Sequence, residues 1–334
     1  LKTITFFIVL LISCVASASA EKNVITIGVS LGLTGELSRI GAMQEKGYRL
    51  WENNTNADKG ILGKRVHVII KDDHSNVKRA IAIYQYFLNV EKVDFIFGPY
   101  SSKLTEAIAS IAAKDHYPML AAGAAADRIW QHGNQYIFGM WTPASQYTIG
   151  FLEMLVAYGI DNISVLTAED SFSYSIAEGT REWAPRLGLT IKSYDIIPKG
   201  IHDLRPFVKK VKTIGSEVLI LTGHYDESLD IEKAIKAIGW KPKLLLATVG
   251  PVFDEYHEKL KADAEGVCSI SIWEPHPLLN FPGSQNFAKT FKHIYGVNPT
   301  YHAATAYAAG EILAKAIEKA GNLDREKVRS ILSA

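Results

Sequence analysis

With 334 residues, 48% of them hydrophobic, the chain is long enough for about two domains and too apolar for large-scale disorder. Lys and Arg total 36 and Asp and Glu total 35, so no net field recruits nucleic acid, and no basic cluster supplies one locally. Charge argues against a nucleic-acid partner.

Residues 1–20, LKTITFFIVLLISCVASASA, read as an export signal. Lys2 gives the positive end, residues 4–12 the apolar core, and Ala18-Ser19-Ala20 an A-x-A cleavage site. The apolar run is too short to span a bilayer. Leu11-Ile12-Ser13-Cys14 also resembles a lipoprotein box, which makes a lipid anchor at Cys14 the alternative to simple cleavage. Cleavage after Ala20 leaves Cys268 as the lone cysteine, so the core and not a disulfide must hold the exported fold.

Residues 24–31 (VITIGVSL) read as a first buried strand, and 44–53 as a helix with Tyr48 and Trp51 on one face. Residues 66–71 (VHVIIK) form a second strand. Asp72-Asp73-His74 ends it as a solvated turn and not a metal site, because adjacent strand residues point to opposite sides. Ser75 is placed to cap a helix carrying Ala80, Ile83, Tyr84, Phe87 and Leu88. No Cys/His spacing suggests zinc, and no cofactor is expected.

The chain is organised around the stretch 93–113, VDFIFGPYSSKLTEAIASIAA. A short apolar strand meets the Gly98-Pro99 turn, and Ser101-Ser102 stand where the helix bearing Leu104, Ile108, Ile111 and Ala112 would be capped. Free N–H groups and two hydroxyls make that helix start a ready anion cradle. The plainer reading is that Ser102 only caps its own helix. Residues 119–122 give another strand, and 138–143 a crossing.

The alternation then restarts: helix 145–158, strand 163–167, helix 176–187, strand 190–197, helix 204–213, strand 218–222, helix 229–238 and strand 244–248. Residues 273–283, with Pro275, Pro277 and Pro282, read as a second crossing. Helices 285–295, 300–320 and 325–332 complete the chain, with Ala303, Ala304, Ala308, Ala309 and Gly310 allowing close packing. The fold class is therefore α/β, two lobes each with a parallel sheet covered by helices. Ligands bind beyond the carboxyl ends of such strands, here near 98–102, 121–126, 223–226 and 249–250, in a cleft between the lobes.

These segments resemble the type I periplasmic solute-binding proteins of branched-chain amino-acid and amide ABC transporters. The likeness rests on ITIGVSLGLTGELSRIGAMQEKGYRL, GILGKRVHVIIKDD, FIFGPYSSKLTEAIA, PMLAAGAA and YHAATAYAAGEILAKAIEKAG, in that order from about residue 24 onward. It implies two Rossmann-like lobes, residues 21–141 with 275–334 and residues 142–274, that close on a ligand. It implies an ABC permease and ATPase as partners, a periplasmic location and a monomer. It also implies a further C-terminal stretch with a third crossing strand.

Residue by residue, the resemblance puts Ser102, with Tyr100 and Ser101, where a ligand carboxylate is held. It puts Gly123-Ala124-Ala125 where amino-acid binders carry Gly-Ala-Thr. Phe172 takes the place of an aromatic cover, and His224 or Tyr225 that of a Tyr in the second lobe. Val249 stands where an acid pairs with the ligand ammonium. Loss of that acid and of the Thr hydroxyl disfavours α-amino acids, since an unpaired buried ammonium costs several kcal/mol. Tyr100, Phe172, Tyr225 and Trp141 add apolar and aromatic character; the expected ligand is a carboxylate without an α-amine, and the resemblance extends to an aromatic one, since some members of the wider family bind such acids. The alternatives are that Asp226 or Glu227 replaces the lost acid and the chain binds branched-chain amino acids or amides, or that it serves as a sensor. A serine hydrolase is the remote rival: Gly28-Val29-Ser30-Leu31-Gly32 spells G-x-S-x-G, but within a strand and not on the sharp turn that chemistry needs.

Overall fold

The computed structural model describes residues 23–131, 133–279 and 281–334; residues 1–20, read above as an export signal, and with them Cys14, lie outside the described residues. The first half runs β1 (Val24–Leu31), α1 (Ser38–Ala57), β2 (Arg65–Asp72), α2 (Val77–Tyr86), β3 (Phe95–Phe97), α3 (Ser102–Lys114), β4 (Met119–Ala121) and β5 (Ile137–Gly139). These strands form a parallel sheet in the order β2-β1-β3-β4-β5. The second half runs α4 (Ile149–Ala157), β6 (Asn162–Ala168), α5 (Ser171–Arg186), β7 (Thr190–Ile197), α6 (Arg205–Thr213), β8 (Val218–Thr222), α7 (Tyr225–Ile238), β9 (Leu244–Ala247), α8 (Asp254–Leu260) and β10 (Val267–Cys268). Its parallel sheet has the order β10-β9-β8-β6-β7. The chain ends in α9 (Ser284–Tyr295), α10 (Tyr301–Ala320) and α11 (Arg325–Leu332).

The two-residue period of a strand decides which helices cover which face. In β8, Leu219 and Leu221 pack with Val208 and Val211 of α6 and Ile231 of α7. Val218 and Ile220 point the other way, to Leu152 of α4 and Ala177 of α5. In β1, Ile25, Ile27, Val29 and Leu31 all face the core shared with α1 and α10. Gly28 lies on the opposite face, where a Cβ would stand 2.8 Å from the Phe87 ring. The α1–α10 contact is equally close: a Cβ on Gly310 would come within 2.0 Å of Trp51. The small-residue stretch in α10 thus brings the end of the chain back onto the first sheet.

Three local expectations change. Asn76 and not Ser75 caps α2, accepting from Arg79 N at 3.2 Å. Ser75 takes a positive φ, and its hydroxyl instead accepts from Leu37 N and donates to Thr34 O, tying the β1–α1 loop. Asp73, expected in a solvated turn, is buried and accepts from the Ser30 hydroxyl at 2.7 Å. Of the crossing expected over 138–143, the first two residues belong instead to the edge strand β5 (Ile137–Gly139), in register with β4, because Ile137 and Phe138 both find core to bury into. Helix α8 and strand β10 had no sequence reading, being too short for periodicity to show.

Candidate functional site

The carboxyl ends of both sheets meet a single buried cluster. It joins Tyr100, Ala125 and Trp141 from the first half to Phe172, Tyr225, Val249 and Phe253 from the second, with Tyr301 from the start of α10. Rings make most of the contacts. Tyr100 packs against Trp141, His224 and His302, with centroids 6.3, 6.5 and 5.6 Å away. Phe172 lies 5.4 Å from His224 and 5.9 Å from Tyr147. Phe253 stacks on His302 at 5.7 Å, with Tyr225 at 5.7 Å on its edge. A surface cavity of about 640 Å³ is lined by Asp127, Ser145, Ser171 and neighbouring residues, and by no residue of the cluster.

Hydroxyl groups fasten the strand-end loops that carry these rings. Ser102 is the first residue of α3 and does not cap it. Ser101 occupies the cap position, and its side chain makes no capping bond. The Ser102 hydroxyl instead accepts from Ala125 N at 3.2 Å and Ala126 N at 3.1 Å. That ties the loop after β4 to the start of α3 and leaves the Ser102 proton available to an acceptor. In the second half, Thr248 Oγ1 donates to Gly223 O and accepts from Gly223 N, joining the ends of β8 and β9. Ser228 Oγ accepts from Gly250 N and donates to His224 O.

Of the predicted residues, Tyr100, Ser102, Ala125, Phe172, His224, Tyr225 and Val249 converge on this cluster. Gly123 lines its back, where a Cβ would meet Tyr100 at 2.8 Å and Gln44 Nε2 at 2.9 Å. Ala124 turns its methyl the other way, into the core beneath α3. Val249 is fully buried, so no carboxylate stands at that position. Neither proposed substitute supplies one. Asp226 is 58% exposed and faces Arg39, while Glu227 accepts from His224 N at 3.1 Å on its own helix.

The buried charge belongs to a pair the sequence did not flag. Asp170 caps α5, accepting from Phe172 N, Ser173 N and the Ser173 hydroxyl. Its Oδ1 also lies 3.6 Å from His224 Nε2. Burial alone would raise the carboxyl, but the His224 charge and these hydrogen bonds hold Asp170 down at about 2. Burial alone would lower the His224 imidazole, but the Asp170 carboxylate, with smaller help from Glu227 and Glu36, pushes it up to about 9. His224 is therefore an imidazolium at neutral pH. His302 is its opposite: burial, reinforced by the His224 charge, drives it down to about 3 and keeps it neutral.

Several polar atoms here are buried without a hydrogen-bond partner among the described residues: His224 Nδ1, Tyr147 OH, Trp141 Nε1, His302 Nε2, Tyr225 OH and Gln44 Oε1. Such atoms are rare in a packed interior, and their presence in this one cluster makes it the candidate site. Tyr147, Asp170, Phe253, Tyr301 and His302 were not singled out from sequence. The aromatic pair Tyr301-His302 opening a long small-residue helix was the available signal for the last two.

Nothing in this arrangement resembles a catalytic centre. Ser30 is fully buried within β1, its hydroxyl given to Asp73, so it has none of the exposure of a nucleophile. Among the described residues no group of three or more His, Cys, Asp or Glu could hold a metal ion, and no helix is long and apolar enough to cross a membrane.

Known proteins share this construction. The chain is similar to Leu/Ile/Val-binding protein homolog 7 of Brucella suis biovar 1, at 25% identity over 97% of this chain and 84% of that one. Its fold is similar to that of the branched-chain amino acid transporter substrate binding protein LivJ from Streptococcus pneumoniae, solved with isoleucine. That likeness has a TM-score of 0.84 at 23% identity and covers 92% of this chain and 87% of the other. An R. palustris solute binding protein of an ABC transporter, solved with benzoate, gives a TM-score of 0.82 at 17% identity over 93% and 85% of the two chains. A family profile described as periplasmic binding protein matches residues 24–334, the whole of both sheets and the cleft between them. The chain belongs to that family of periplasmic binding proteins, and its fold is the one shared by these solved substrate-binding proteins.

Proposed function

We propose that this chain is the extracytoplasmic solute-binding component of an ABC importer, and that its ligand is a small carboxylate without an α-amine and with an aromatic body. In this reading residues 21–141 with 275–334 and residues 142–274 are the two lobes. They close on the ligand in the periplasm and deliver it, as a monomer, to a permease and ATPase.

The charge of the cleft carries the proposal. An ammonium needs a carboxylate, and the acids around the cluster are already engaged: Asp170 with His224, Glu227 with a backbone N–H, Asp127 with the N–H and hydroxyl of Ser145, Asp226 with Arg39, and Glu36 with Lys199 at 3.7 Å. Gln44 Oε1 is an acceptor but carries no charge. The imidazolium of His224 repels a cation, and leaving an ammonium unpaired there would cost several kcal/mol. The same imidazolium, Tyr147 OH and the Ser102 proton are donors suited to a carboxylate. The ring-lined walls suit a flat ligand, and the benzoate complex of the R. palustris protein supports the aromatic part.

A thermal-shift screen of ligand-stripped protein tests this. Benzoate and hydroxybenzoates should raise the melting midpoint by several degrees, since a ligand at a hundred times its Kd adds about 2.7 kcal/mol. Stabilisation by leucine, isoleucine or valine and not by these acids would show the charge argument to be wrong.

A further inference from the structure

The buried unpartnered atoms of the cleft fall into two chemically different groups. Around Phe172 stand donors for an anion: His224 Nδ1, held in an ion pair through its other nitrogen, and Tyr147 OH. Around His302 stands a neutral group. His302 is fully buried, and its Nδ1 lies 3.3 Å from Thr300 Oγ1. Either atom of that contact can donate; we assign the imidazole proton to Nδ1, which makes Nε2 an acceptor without a donor. The Trp141 ring lies 5.7 Å from His302, and its indole N–H is a donor without an acceptor. Tyr100 touches both groups, packing on His224 with one edge and on His302 with another.

One donor beside one acceptor, both buried and neutral, is the complement of a hydroxyl group, which accepts one hydrogen bond and gives one. A carboxylate would leave the His302 acceptor facing an anion, and a methyl or bare ring edge would leave both atoms desolvated and unpaired. Resting on the carboxylate reading of the cleft, we propose that the ligand is a hydroxylated aromatic acid, its carboxylate toward His224 and Tyr147 and its ring hydroxyl between Trp141 Nε1 and His302 Nε2. Sites built to hydrogen-bond a hydroxyl reject the analogue lacking it far more strongly than apolar pockets reject an extra group. The two histidines then divide the recognition, one reading charge and the other reading a neutral proton.

The test is isothermal titration of the full chain with benzoate, 3-hydroxybenzoate, 4-hydroxybenzoate and 4-methylbenzoate. At least one hydroxybenzoate should bind about tenfold or more tightly than benzoate, and 4-methylbenzoate no better than benzoate. His302→Phe should cut the hydroxybenzoate-to-benzoate ratio toward one, and Trp141→Phe, which keeps the ring stack, should lower it independently. Benzoate binding as tightly as both hydroxybenzoates would overturn the hydroxyl assignment while leaving the carboxylate reading intact. Binding of isoleucine or leucine with no response to any of the four acids would overturn both.

Discussion

Arg39 of α1 and Glu255 of α8 meet across the cleft, guanidinium Nε to carboxylate Oε2 at 2.8 Å. The same guanidinium lies 4.1 Å from the centre of the Tyr225 ring, so one side chain touches the rim of the second half both through charge and through a π face. Lys199 and Glu36 make a second, looser bridge at 3.7 Å.

These contacts hold the two halves together from outside the cage. The Arg39–Glu255 pair is 37% and 57% exposed, so solvent and salt limit it to about 1 kcal/mol. Arg39→Ala should therefore weaken ligand binding about fivefold at low ionic strength, and less in 0.5 M salt. Titration at two salt concentrations checks this, and an unchanged affinity at low salt would remove Arg39 from the closing contact.

The two cleft histidines should leave opposite marks on stability against pH. His224 has its folded value raised to about 9, so its contribution is complete below 6.5 and lost as pH rises through 9. Its size is on the order of 3 kcal/mol. His302 is lowered to about 3, so it destabilises the fold as pH falls from 6.5 toward 3. Melting curves from pH 4 to 10 should show the alkaline loss reduced in His224→Gln and the acid loss reduced in His302→Phe. The comparison is with the parent chain, because Glu232, raised to about 7 mainly by burial, adds its own slope between 4.5 and 7. Parallel curves for parent and variants would refute the assignment.

Val249→Asp restores an acid at the end of β9. With Val249 fully buried, the new carboxylate should cost stability, about 2 kcal/mol or more, and lower the affinity for aromatic acids. Added leucine or isoleucine should recover part of the lost melting temperature by supplying the missing ammonium. If neither amino acid stabilises the variant more than the parent, position 249 does not set the choice between amine and no amine.

Gly310→Ala tests the return of α10 to the first sheet. The added methyl would sit within 2.0 Å of the Trp51 ring, which is 2% exposed and has nowhere to move cheaply. Overpacking of this kind costs about 1–3 kcal/mol, seen as a drop of several degrees in the melting midpoint. Substitution to Ala at Gly159 should cost less, since nothing lies within 4 Å of its Cβ position and only its positive φ opposes the change.

The sheets were legible because strands buried on both faces announce themselves as short apolar runs. VITIGVSL and VLILT are strands over the same residues in the structure. The alternation of strand and helix was enough to give two parallel sheets. What stayed hidden depended on contacts between residues far apart in the chain. Asp170 had no sequence reading, because the helix was expected to begin only at residue 176, and the approach of His224 from the loop after β8 turns this helix cap into half of an ion pair. Ser102 looked like its own helix's cap, and only the return of Ala125 and Ala126 gives its hydroxyl another task. Ser75 lost its capping role to Asn76 because the loop after β1 needed its hydroxyl more.

Trp141 sits with 7% of its surface exposed, against Tyr100, Tyr301 and His302, with its indole N–H unspent. An indole in that position reports on its surroundings by its own emission. A molecule that accepts its proton, or places a ring beside it, changes the wavelength and yield of that emission without any attached label. The chain has 6 tryptophans, and replacing the others by phenylalanine would isolate this signal. Stopped-flow fluorescence could then time the arrival and departure of a ligand from the wall of the cleft itself.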